Sequence, residues 1–135
     1  VGYGQLAWSL RSDARVVVLE RTNARHLQAL PEPTSLVVGD LSFISLRLML
    51  PTVRRLCSSG GEAVLLVKPQ FEVGPERVGK GGLVRDESAR RDALENVKKS
   101  AEVEGFLVSG AMESPIPGAK AGNREWLLHL AAPTD

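Results

Sequence analysis

Ala63-Val64-Leu65-Leu66-Val67-Lys68-Pro69-Gln70 is the stretch on which the fold of this chain turns. Five apolar residues in succession, with no polar alternation, are the pattern of a strand covered on both faces. Lys68-Pro69 ends it, because proline has no N–H to give to a ladder. Two other runs share this character. Val16-Val17-Val18-Leu19 lies between Asp13 and Arg21-Thr22-Asn23, and Leu36-Val37-Val38 ends at Gly39-Asp40. Each is expected to be a buried strand.

Helical patterns separate these runs. From Ser45 to Cys57, Leu46, Leu48, Met49, Leu50, Val53 and Leu56 recur near helical spacing. Gly60-Gly61 is expected to stop that helix, and Pro51 to mark a bend or a late first turn. The longest candidate runs from Asp86 to Glu104, where Ala89, Ala93, Val97 and Ala101 recur every four residues and Gly105 ends the run. Tyr3 to Leu10 reads as a shorter set of turns. Phe106 to Gly110 and Trp126 to Leu130 read as two last strands, divided by a Pro- and Gly-rich segment from Ser114 to Asn123. The order is helix, strand, helix, strand, helix, strand, long helix, strand, strand. It predicts an α/β domain: a mostly parallel sheet with helices on both faces and an antiparallel last strand.

Composition sets the outer bounds. At 135 residues there is room for one domain. An apolar share of 43% suffices for a packed core. Seventeen basic against 16 acidic side chains leave a net charge of +1, so bulk positive charge does not carry binding, although a local basic patch remains open. One cysteine, Cys57, excludes an internal disulfide and a cysteine-based zinc cluster. It reads as a packed thiol. His26 and His129 have no ligand partner at metal spacing, so no metal site is expected. Trp8, Trp126 and Phe43 read as core or edge-of-core residues. No apolar run reaches the roughly 20 residues of a membrane helix, and no signal peptide is visible. The class expected is a soluble cytoplasmic domain.

In open parallel sheets, ligands bind beyond the carboxyl ends of the strands. Asp40 and Lys68 stand at two such ends. They either form a simple ion pair or work together, since a neutral lysine accepts a proton and can serve as general base. Glu20-Arg21-Thr22-Asn23 stands at a third end. It either hydrogen-bonds a nucleoside or uses Thr22 or Asn23 to cap the next helix. Phe71 to Arg85 (FEVGPERVGKGGLVR) combines glycines with Arg77, Lys80 and Arg85. It is either a solvated loop or a lid over a polyanion, and it lacks the full phosphate-loop pattern.

The strings VGYGQLAWSLR, VVVLERTNAR, LVVGDLSFISL, LLVKPQFEVG, VGKGGLVRD and SPIPGAKAGNREWLL together resemble the TlyA family over essentially the whole chain. These proteins, often labelled haemolysins, are FtsJ-like S-adenosylmethionine-dependent methyltransferases of ribosomal RNA. The resemblance implies a partial Rossmann-like class I methyltransferase fold, S-adenosyl-L-methionine as cofactor, and ribosomal RNA or a ribosomal subunit as partner. It implies a catalytic set of Lys, Asp, Lys and Glu. Asp40 matches the aspartate, Lys68 the second lysine and Glu125 the glutamate. For the cofactor it leaves Gly2, Tyr3, Glu20, Arg21, Thr22, Asn23 and Asp40, and for RNA Arg77, Lys80 and Arg85. The string Asp-Leu-Ser-Phe at Asp40 differs from the Asn/Asp-Pro-Pro-aromatic of amino-methylating enzymes. An RNA-binding module without catalysis and a membrane-active haemolysin are the alternatives. The latter is disfavoured by the lack of a spanning or strongly amphipathic basic segment.

In the family, the first lysine, the glycine-rich cofactor loop, the acidic residue for the cofactor ribose and an S4-type RNA-binding domain all precede the position of Val1. Residues 1–135 are therefore expected to be the C-terminal part of the methyltransferase domain. The 135-residue chain alone is expected to bind S-adenosylmethionine weakly or not at all. Calorimetric titration checks this, and low-micromolar binding contradicts it.

Overall fold

The computed structural model describes residues 4–135. After a single short helical turn, α1 (Trp8–Arg11), the chain forms β1 (Thr34–Gly39), α2 (Leu46–Leu56), β2 (Cys57–Val67), α3 (Glu87–Val103), β3 (Leu107–Glu113) and β4 (Trp126–Ala131). The sheet order is β1-β2-β4-β3. β1 and β2 are parallel, and β4 runs antiparallel to both of its neighbours. Three strands thus share one direction and the last is reversed, as the element order predicts.

One core joins the two long helices to a single face of the sheet. Leu46, Leu50 and Val53 of α2 meet Leu94, Val97 and Ala101 of α3 over Ala63, Leu65, Val67, Leu128 and Leu130. The four-residue recurrence in α3 is the buried stripe: Ala89, Ala93, Val97 and Ala101 are each fully enclosed. Asp86 caps this helix by accepting the Ser88 N–H, and Ser45 caps α2 by accepting that of Arg47. α2 continues through Pro51 and ends at Leu56. Gly60-Gly61 therefore does not stop it. Those glycines lie within β2, where a Cβ on Gly61 would fall 2.9 Å from Cys57 Sγ and 3.0 Å from two backbone oxygens. Cys57 is buried at the start of that strand, and burial pushes its thiol up.

Three expectations are corrected. First, the sheet is covered on one face. Val38 is 72% exposed and Leu36 55%, because both long helices pack on the other side among the described residues. Second, Val16 to Leu19 forms no strand, and Val17 is 68% exposed. β-branched propensity makes a strand only where a neighbour pairs with its backbone, and this segment has no such neighbour among the described residues. The helix expected after it is reduced to one 3₁₀ turn, Ala24–His26. Third, Trp8 and Phe43 are not core residues, at 76% and 71% exposed. No described helix is long and apolar enough to cross a membrane.

Leu65 lies at the centre of the core and has no exposed surface. Leu65→Ala is expected to cost about 2–5 kcal/mol of stability. Urea unfolding measures this, and a loss below about 1 kcal/mol would show that the core is centred elsewhere.

Candidate active site

Parallel pairing of β1 with β2 aligns Gly39 with Leu65, so both strands end at one edge of the sheet. Asp40 and Lys68 leave those ends and meet. Lys68 Nζ lies 2.6 Å from Asp40 Oδ1 and donates to Ser42 Oγ at 3.2 Å. The lysine side chain is 13% exposed and the aspartate 69%. The ammonium group is thus held mostly out of water, and its counter-ion reaches it from the solvent side.

The two loops behind this pair are fastened together by a residue that the sequence reading passed over. Glu72 accepts a hydrogen bond from Ser45 Oγ at 2.6 Å and another from the Leu46 N–H at 2.7 Å. Its carboxylate sits at the N-terminus of α2, where unpaired N–H groups and the helix dipole favour an anion. Arg47 adds a weaker contact at 3.6 Å. Burial nevertheless prevails over these favourable contacts and pushes the Glu72 carboxyl above the ordinary glutamate range. The segment carrying Asp40, Ser42 and Phe43 is thereby tied to the one carrying Lys68, Gln70 and Phe71.

Glu125, just before β4, lies in the same cleft as Lys68. The cleft is about 510 Å³, and Ser42, Phe43, Gln70 and Phe71 help line it. Glu125 is buried, and Gln70 Nε2 donates to its Oε2 at 3.4 Å. Gln70 Oε1 is buried and has no hydrogen-bond partner among the described residues. Gly118 passes so close that a Cβ there would lie 2.9 Å from Glu125 Oε2. Any side chain at this position would press on the end of Glu125 and shift its carboxylate. Phe43 adopts φ +63°, a left-handed conformation that costs a bulky residue energy. The result is a ring presented to solvent, 5.3 Å from that of Phe71 and with the Lys120 ammonium 5.9 Å from its centroid. Phe43 and Lys120 were also missed as site residues. A phenylalanine beside a strand end reads as core until its backbone angle is known.

The expected cofactor cluster is a separate region. Glu20, Arg21, Thr22 and Asn23 line a hollow of about 770 Å³ against Leu41, Ile44 and Met49. Asn23 caps the 3₁₀ turn by accepting the Arg25 N–H at 3.0 Å, and Thr22 donates to the Glu20 carbonyl. Glu20 pairs with Arg11, which holds its carboxyl below the usual range. Gly2 and Tyr3 lie outside the described residues. Of the three basic residues in the glycine-rich segment, Arg77 is engaged by Asp92 at 2.8 Å and by Asp86 at 3.7 Å. Lys80 and Arg85 are exposed.

The family model of the FtsJ-like methyltransferases matches residues 1–132. The 16S/23S rRNA (cytidine-2'-O)-methyltransferase TlyA of Mycobacterium tuberculosis is 51% identical over all of this chain and 51% of its own length. The chain spans about half the length of the curated relatives it matches. Among solved structures, a "putative hemolysin" from Lactococcus lactis superposes with a TM-score of 0.89 at 45% identity, over 94% of this chain and 62% of that one. A SAM-dependent methyltransferase from Methanosarcina mazei, at 13% identity, shares the fold with a TM-score of 0.57 over 84% of this chain and 66% of that one.

The raised Glu72 carboxyl has a consequence for stability. A group that holds its proton more tightly folded than unfolded adds stability as the pH falls through its folded value towards its unfolded one. The stability of the native protein relative to Glu72→Gln is therefore expected to rise as the pH falls from neutral towards about 4.5. Urea melts across that range measure the difference. A difference that shrinks on acidification would mean that Ser45, Leu46 and Arg47 prevail over burial.

Proposed function

Because this chain belongs to the FtsJ-like methyltransferase family, we propose that it forms the C-terminal part of a domain that methylates a ribose 2'-hydroxyl of ribosomal RNA. The observation that carries the reading is the Lys68–Asp40 pair, 2.6 Å apart at adjacent strand ends, with its lysine in one cleft with Glu125. S-adenosylmethionine supplies a methyl group made electrophilic by its sulfonium. The residues of the chain suit such a cofactor. Leu41, Ile44 and Met49 offer an apolar wall for a base, and Glu20 to Asn23 a polar rim for hydrogen bonds. Asp40, whose neighbour Leu41 lines that hollow and whose partner Lys68 lines the cleft, is the residue this reading shares between cofactor and catalysis.

A ribose hydroxyl is a poor nucleophile until its proton leaves. Lys68 first releases its own proton to solvent, and as the free amine it takes the hydroxyl proton while the oxygen attacks. The ammonium so formed finds Asp40 already in place, and no side chain has to move to neutralise it. Ser42 fixes the amine from a second side. Glu125 and the Gln70 amide that donates to it border the cleft beside Lys68. The exposed ring of Phe43, backed by the half-buried Phe71, offers a stacking surface to a base lifted out of its strand. Lys120 of the cleft lining and the exposed Lys80 and Arg85 of the glycine-rich segment are the basic groups left for phosphates, whereas Arg77 is committed to Asp86 and Asp92.

Transfer of labelled methyl from S-adenosylmethionine to ribosomal RNA by the whole protein tests the reading. Lys68→Ala is expected to lower kcat by about 10²- to 10⁴-fold, the usual contribution of a positioned base. Wild-type rates in that variant would remove Lys68 from the role.

A further inference from the structure

Asn123 has no part in the chemistry above, yet it is 2% exposed, which is rare for an amide side chain. Both ends of that amide are used. Nδ2 donates to the Gly82 carbonyl at 2.8 Å, and Oδ1 accepts the Val84 N–H at 2.8 Å. Gly82 and Val84 flank Leu83. Bonding to the two residues that flank a partner is what a neighbouring parallel strand would do. One side chain thus stands in for a strand edge beside the glycine loop. Gly81 and Gly82, at φ +74° and +83°, shape that loop, and Gly79 closes it by donating to the Leu83 carbonyl at 2.8 Å. On its other side, the Asn123 carbonyl accepts the Gly118 N–H at 2.7 Å. Gly118 is the glycine packed against Glu125, and Glu125 follows Asn123 by two residues. Gly81, Gly82, Gly118, Asn123 and Glu125 all line the cleft that holds Lys68.

We propose that Asn123 is a positioning residue for the transfer reaction. Its amide joins the glycine loop, residues 79–84, to the loop of residues 118–125 and so fixes Glu125 in the cleft beside Lys68. The glycine loop is then a fastened side of the site, not a lid that opens and closes. This proposal rests on the methyltransferase reading. Asn123→Ala leaves the N–H of buried Val84 unpaired and frees both loops. Asn123→Asp keeps an acceptor for Val84 but, when ionised, gives nothing to Gly82.

The test uses the whole protein and two readouts, amide hydrogen exchange at Val84 and steady-state methyl transfer to ribosomal RNA. Asn123→Ala is expected to exchange Val84 at least about tenfold faster. Its kcat is expected to fall about 10- to 100-fold, as for a small misplacement of a reacting group. Its KM for S-adenosylmethionine should stay within about twofold, since the cofactor hollow is built from other residues. Val84 protection equal to wild type, or an unchanged kcat, overturns the proposal. If the alanine variant does not fold, Asn123→Asp decides. A kcat lowered severalfold with Val84 still protected supports the proposal, and wild-type kcat overturns it. Wild-type protein that transfers no methyl group refutes the enzymatic reading itself, and the unaltered protein alone reveals that result.

Discussion

Parallel pairing of β1 with β2 is the constraint from which the site follows. Parallel neighbours point their carboxyl ends the same way, so residues that leave consecutive strands of this kind are delivered to one edge of the sheet. Asp40 and Lys68, 28 positions apart in the chain, are brought to 2.6 Å in this manner. The pair is not what holds the strands together. With Asp40 69% exposed, such a contact is worth about 1 kcal/mol at most. The buried Ala63, Leu65 and Val67, packed under α2 and α3, supply the larger energy. The core holds the ion pair in place, which frees the pair to serve chemistry.

The reversed strand β4 completes the arrangement. Because it lies between β2 and β3 and runs the other way, the segment entering it arrives at the same edge where β2 ends, with Trp126 opposite Val67. Glu125 precedes Trp126 and so comes within reach of Gln70. Around these ends the loops are tied by polar groups taken out of water. Glu72 serves the turn into α2, and Asn123 serves the glycine loop. A buried polar group must find partners or lose stability, and here the partners are backbone groups of the loops that line the cleft. Satisfying the hydrogen bonds and shaping the site are one arrangement.

The local patterns are legible where apolar residues are periodic or continuous. Ala89, Ala93, Val97 and Ala101 announce their helix face, and residues 63–67 announce their strand. The same reasoning failed at residues 16–19. Four β-branched or apolar residues carry the propensity of a strand, but a ladder requires a second backbone, which propensity cannot report. Phe43 failed for a related reason. Its exposure follows from a backbone angle set by the turn between β1 and α2, and composition carries no trace of that angle. Asn23 shows two readings resolved by contact: it caps a short turn and still lines the hollow beside it.

What the amino-acid order determined alone is the kind and succession of elements from residue 34 onward, together with Asp40 and Lys68 as charged residues at strand ends. Those features depend on neighbours close in the chain. The tertiary structure decided which sheet face stays open, that Glu125 joins a pair more than 50 residues away, and that Glu72 and Asn123 bind the loops. These outcomes depend on register and strand order, which are set by how the whole core packs. A glutamate or an asparagine in a loop looks the same in sequence whether it faces water or fastens a site.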